Sequence, residues 1–108
     1  MSVSDPHSLN EIVHGQTRLK VLKTLSIVPS IEFVVLRDQL KVSDGALSVA
    51  VKKLEDAKFV KTTKTHEFGK SKTTIHLTKL GMKEFENYLA QLYALLNSAS
   101  KQPLSAAK

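Results

Sequence analysis

The side chains able to do chemistry in this sequence are mostly lysines, and they are unevenly placed. Between Lys52 and Lys83 lie nine lysines (Lys52, Lys53, Lys58, Lys61, Lys64, Lys70, Lys72, Lys79 and Lys83) against three acids, Glu55, Asp56 and Glu67. That stretch carries the chain's whole formal charge of +6, because the remainder holds seven basic and seven acidic residues. A generic solubilising charge would be spread along the chain, whereas a concentrated excess fits a polyanionic partner. The other reactive residue types form no constellation. His7, His14, His66 and His76 are scattered, with no HExxH pattern and no pair at ligand spacing. His66 and His76 could face each other across a hairpin, where a plain surface pair is a simpler reading than a metal site. No glycine-rich phosphate loop, no GxSxG and no motif-placed Ser-His-Asp set occurs, so no enzymatic activity is expected. Cysteine is absent, which excludes disulfides, thiolate zinc sites and iron–sulfur clusters. No metal or cofactor is expected.

A chain of 108 residues with 42% hydrophobic residues suits one domain with a real core. Only 6% of residues are aromatic, so that core must be mainly aliphatic. Apolar runs are a few residues long, far short of the roughly 20 that span a bilayer. The opening MSVSDPHSLNEIV lacks the basic-then-apolar layout of a secretory signal. A soluble protein of the prokaryotic cytoplasm or nucleoid is the expectation, with no membrane partner.

Local signals set out the elements. Asp5-Pro6 looks like an N-cap followed by a first-turn proline, opening a short helix with Leu9, Ile12 and Val13 on one face and an end near His14-Gly15. Leu19, Leu22 and Leu25 mark a second helix from Gln16 to about Ser26, broken by Val28-Pro29-Ser30. Ile31 to Phe33 reads as a short extended stretch and Val34 to Leu40 as a short helix. Ser43 is the expected N-cap of the next helix, with Asp44 near its positive end, and Leu47, Val51 and Leu54 must face the core. The periodicity then changes. Val60–Phe68 and Thr73–Thr78 are rich in Thr, Val and Ile, and Gly69-Lys70-Ser71-Lys72 joins them as a hairpin. A long helix starts from Thr78 as N-cap and runs to about Ala99. One domain over 5–99 is expected, followed by a fraying tail, 100–108.

This order, mainly helical with a small β-hairpin, is that of a winged helix-turn-helix, an α+β fold with a long C-terminal helix. The stretch LRDQLKVSDGALSVAVKKLEDAKFV, a Thr/Lys hairpin and then IHLTKLGMKEFENYL resemble the MarR/ArsR-like winged-helix transcriptional regulators. The motifs that carry the likeness are Leu47-Ser48 in the recognition helix, the Lys-rich wing from Lys61 to Lys72, and Leu77-Thr78-Lys79-Leu80-Gly81 opening the last helix. It covers roughly residues 9 to 96. The family commonly has glycine after the recognition helix, where the chain turns through a left-handed conformation. This sequence has Lys58, at a cost of about 1 kcal/mol if φ is positive.

The resemblance implies a homodimeric regulator that binds double-stranded DNA, with the recognition helix in the major groove and the wing on the backbone or minor groove. Outward side chains at the start of a recognition helix must be small or hydrogen-bonding to reach base edges. Ser43, Gly45, Ser48, Val49, Lys52 and Lys53 fit, as do Lys64, Lys70, Ser71 and Lys72 on the wing. No arginine follows Arg37, so base discrimination is expected to be modest or to favour A·T-rich DNA. Met82, Phe85, Leu89, Leu92 and Leu96 recur at steps of 3 and 4 like a coiled-coil seam. They are read as the dimerisation surface, with Met82 and Phe85 turned inward onto the domain's own core, Leu89, Leu92 and Leu96 toward a partner, and Tyr88, Tyr93 and Leu95 widening the apolar area. Two alternatives stay open, a winged-helix protein-interaction module and a non-specific architectural DNA binder. The sequence specifies neither an operator nor an effector.

Overall fold

The leucine spacing after Gly15 builds a helix, α1 (Gln16–Ile27), in the computed structural model, which describes residues 10–100. Val21, Leu22 and Leu25 point from α1 into the core, and Leu19 packs partly buried beside them. The helix stops at Val28, whose N–H still reaches the Thr24 carbonyl at 2.9 Å. Pro29 has no N–H with which to continue. The chain then runs through β1 (Ser30–Glu32), α2 (Phe33–Leu40), α3 (Asp44–Asp56), β2 (Val60–Glu67), β3 (Lys70–Leu77) and α4 (Lys79–Ser100). The α+β winged helix-turn-helix fold with a long last helix is therefore present.

The strands form one antiparallel sheet in the order β1-β3-β2. The first strand is Ser30–Glu32 rather than the expected Ile31–Phe33, because pairing of Ser30 with His76, Ile31 with Ile75 and Glu32 with Thr74 fixes its extent. Phe33 instead opens α2. The hairpin joint is also tighter than expected. Only Phe68 and Gly69 form the turn, while Lys70, Ser71 and Lys72 lie within β3, opposite Glu67, His66 and Thr65. That register separates the two histidines: His66 sits opposite Ser71 and His76 opposite Lys61. The histidine pair imagined across the hairpin does not exist.

Of the expected N-terminal helix, Asp5, Pro6 and Leu9 lie outside the described residues. From Asn10 onward there is a single turn, closed by the His14 N–H on the Asn10 carbonyl at 2.9 Å. Asn10 caps it, its Oδ1 accepting from the N–H groups of Ile12 (2.8 Å) and Val13 (3.2 Å). Two further bonds tie this turn to the last helix. Asn10 Nδ2 donates to Glu84 at 3.2 Å, and His14 Nδ1 meets the Tyr88 hydroxyl at 2.7 Å. Of the expected tail, residues 101–108 are outside the described region.

Aliphatic side chains from every layer meet in one core: Val13, Leu22, Leu25, Leu36, Leu47 and Leu54 from the helical side, and Val60 and Ile75 from the sheet. Phe85 and Tyr88 close it from α4. The Leu77-Thr78-x-x-Gly81 motif has a definite job here. The Thr78 hydroxyl donates to the Lys58 carbonyl at 2.7 Å and accepts from the Gly81 N–H at 2.9 Å, capping α4. A Cβ on residue 81 would collide with the Phe59 carbonyl oxygen, so only glycine lets α4 pass this close to the end of α3.

Candidate nucleic-acid interface

One face of α3 is fixed by burial, and that decides which face is free. Leu47, Ala50, Val51 and Leu54 are buried, leaving Gly45, Val49, Lys52 and Asp56 along the opposite side at steps of 4, 3 and 4. Ser48 and Lys53 flank that stripe and are exposed, and Val49 is 57% exposed. Ser43 caps the helix as expected, its hydroxyl accepting the Ala46 N–H at 3.0 Å. That hydroxyl is spoken for, so its reach to a phosphate would compete with the cap. Lys52 pairs with Asp56 at 3.2 Å, an exposed i,i+4 contact of little energetic weight that a phosphate can replace.

The far end of α3 confirms what the missing glycine implied. Lys58 has φ +70°, its N–H bonds the Glu55 carbonyl at 2.9 Å, and Phe59 N–H bonds the Leu54 carbonyl at 2.9 Å. This pair of bonds is a Schellman cap, normally given to glycine at the left-handed position. Phe59 and Leu54 are both in the core, which supplies the hydrophobic contact that holds lysine in a strained backbone.

Sequence reasoning missed Arg37. It ties α2 to the start of α3, pairing with Asp44 at 2.8 Å and with Asp38 at 2.9 Å. Asp44, and after it Asp38, hold the guanidinium above its already high ordinary range. Nothing in the linear sequence distinguishes this arginine from a solvated one, since its partner lies across the helix-turn-helix bend. The bend itself runs through Lys41, also left-handed at φ +56°.

The wing is the opposite kind of structure. Of the 16 strand residues in β2 and β3, only Val60 and Ile75 are buried, both near the base. Thr62 Oγ1 donates to Glu55 at 2.9 Å, anchoring that base to α3. Beyond it the ribbon projects with Lys64, His66 and Ser71 on one face and Lys70 and Lys72 on the other, all exposed. At its tip stands Phe68, fully exposed at 101% and left-handed at φ +53°. His76 is occupied within the sheet by Ser30 (2.8 Å) and Thr63 (3.0 Å). Among the described residues no cluster of three metal-ligating side chains forms.

Residues 17–96 of this surface and its scaffold match the family model of the winged helix DNA-binding domain. The chain belongs to the winged-helix DNA-binding family. It is 35% identical over 85 residues to the uncharacterized protein MJ0432 of Methanocaldococcus jannaschii, across 79% of this chain and 92% of that protein. The transcriptional regulator homologue protein from Pyrococcus horikoshii shares the winged-helix fold with TM-score 0.78 at 24% identity, covering 83% of this chain and 89% of that one. YusO from Bacillus subtilis (TM-score 0.71, 20% identity, 90% and 69% covered) shares it too. So does the PcaV transcriptional regulator from Streptomyces coelicolor (0.70, 11%, 92% and 70%). The winged helix expected from the motifs is upheld in family and fold.

The winged-helix chain departs from expectation on α4. Phe85 is buried in the domain's own core, in line with its inward reading, but Leu92, expected to face a partner, packs partly buried against that core. Tyr88, expected to widen the outer apolar surface, is buried in the same core, where its hydroxyl is satisfied by His14. Met82 is half-buried. What stays open is a narrower stripe of Leu89 (45% exposed), Tyr93 (63%) and Leu96 (57%). Among the described residues no helix is long and apolar enough to cross a membrane.

Proposed function

We propose that this protein is a sequence-specific, double-stranded DNA-binding regulator of transcription that acts as a homodimer in the cytoplasm. The observation that carries the reading is the free face of α3. Gly45, Ser48 and Val49 present small side chains on a helix whose other face is locked into the core, beside a lysine-bearing wing. A rigid helix with a low outward profile suits the major groove, where close approach lets backbone and short side chains reach base edges. Ser43, Lys52, Lys53, Lys64, Lys70, Ser71 and Lys72 serve the phosphates around it. An interaction module would have no need of this charge on the wing.

The stripe Leu89, Tyr93 and Leu96 is the dimerisation surface in this reading, with Met82 and Leu92 at its edge. An isologous pair would set two recognition helices about 34–36 Å apart, one turn of DNA. Selection of bound sequences from random DNA, with non-specific competitor present, tests the function, and recovered sites should carry two related half-sites. Sedimentation at micromolar concentration tests the assembly. The wild type should run as a dimer, and Leu89→Lys with Leu96→Lys as a folded monomer, because charges in the seam would be desolvated while the core is untouched. A wild type that sediments as a monomer contradicts the homodimer.

A further inference from the structure

The wing tip is built against local preference. Phe68 and Gly69 form a two-residue turn with both φ values positive, +53° and +76°. Such turns favour Asn-Gly or Gly-Gly, since a large side chain in the left-handed region is strained. Phe68 nevertheless occupies the first position, and it is fully exposed, so no packing repays the strain. Strain of this kind that the fold does not use points to a contact made outside the chain.

The ribbon beneath it narrows the choice of contact. The pairing of Glu67 with Lys70, Thr65 with Lys72 and Lys64 with Thr73 places Lys70 and Lys72 on one face of the hairpin and Lys64 on the other. Cations thus lie on both sides of an aromatic point. A flat anionic surface would be met from one side, whereas a groove walled by phosphates on both sides matches this arrangement.

We propose that Phe68 is a wedge that enters the minor groove of duplex DNA and partly unstacks one base step, with Lys64 and the Lys70–Lys72 pair taking phosphates of the two strands. The inference rests on the DNA-binding reading above and adds a residue and a mode of contact to it. Apolar side chains inserted this way kink DNA. Pyrimidine–purine steps such as TA unstack most easily, so the wedge contributes sequence preference without a base hydrogen bond.

The test uses a 30-base-pair duplex rich in TA steps, with 2-aminopurine replacing adenine at those steps and dyes at the two ends. Wild-type protein should bind, raise the 2-aminopurine fluorescence and shorten the end-to-end distance. Phe68→Gly relaxes the turn, so its fold is not at risk. It should bind about 100-fold more weakly, in line with the loss of one aromatic–base stacking interaction from each of the homodimer's two wings, with no fluorescence rise and an unchanged salt slope. Phe68→Trp should keep the fluorescence rise. Wild-type binding without a fluorescence rise, or Phe68→Gly binding and unstacking as well as wild type, overturns the wedge and leaves the DNA-binding reading standing. No wild-type binding at low salt overturns both.

Discussion

The recognition helix and the wing are neighbours in sequence but differ in how they are held and in what they carry. Helix α3 buries Leu47, Ala50, Val51 and Leu54 and is capped at both ends, by Ser43 and by the left-handed turn at Lys58. The wing is anchored only at its base and holds no core residue beyond Val60 and Ile75. Charge is divided in the reverse sense. Between Asp44 and Asp56 there are two lysines and three acids, whereas Val60 to Leu77 has four lysines and one acid. The three acids of α3 are engaged within the protein: Asp44 with Arg37, Glu55 with Thr62, and Asp56 with Lys52. The electrostatic excess therefore sits on the wing, and the helix offers shape. Rigidity and charge are supplied by different elements, so stability and DNA affinity should separate cleanly under mutation.

The largest effect that would sharpen this contrast is on stability. Leu54→Ala removes a fully buried side chain where α3 meets the core and should cost about 2–5 kcal/mol in chemical denaturation. Thr65→Ala, on the exposed wing, should stay within about 0.5 kcal/mol of wild type. Comparable losses at both positions would break the comparison.

The next largest effect is on binding. Lys70→Ala with Lys72→Ala should leave the melting temperature unchanged and weaken binding to all duplexes alike. The slope of log affinity against log salt should fall by about 4, roughly one for each of the four lysines that the homodimer's two wings no longer carry. Ser48→Ala should instead reorder preferred sequences by about 1 kcal/mol between best and altered sites while leaving that slope alone. A wing variant that reorders sequences, or a Ser48 variant that flattens the salt response, would exchange the two roles.

The smallest effect concerns the joint between the two regions. Lys58→Gly places a permissive residue at φ +70° and should stabilise the fold by up to about 1 kcal/mol. No gain would mean that the core contacts of Phe59 and Leu54 already absorb the strain.

These contrasts also mark how far the sequence could be read. Elements with strong periodicity or a cap, such as the Leu47, Val51, Leu54 stripe and Ser43, were legible because one physical signal sets each of them. The turn at Lys58 was legible in place but not in conformation, since a lysine where the family commonly has glycine left its φ open. The N-terminal turn was not, because the bond from Asn10 to Glu84 and the one from His14 to Tyr88 join residues 74 apart. The same pairing hid the burial of Tyr88 and made the open apolar stripe on α4 look broader than it is. Arg37 was hidden for a similar reason, its partner Asp44 being brought near only by the turn between α2 and α3. The tightness of the wing turn escaped because Lys70-Ser71-Lys72 has loop composition, yet pairing with Glu67, His66 and Thr65 makes it strand. Phe68 carried no warning at all: an aromatic within a β-rich run reads as a strand residue until the register puts it at the tip.

The central claim, that the charge gathered on the wing and beside the recognition helix is there for duplex DNA, is tested most directly by a salt titration. Purified protein should bind a duplex tightly at 50 mM salt, and if the dimer neutralises about 6–10 phosphates its affinity should fall roughly 10³–10⁵-fold by 200 mM. A salt-independent affinity, or no binding at 50 mM, would contradict the account.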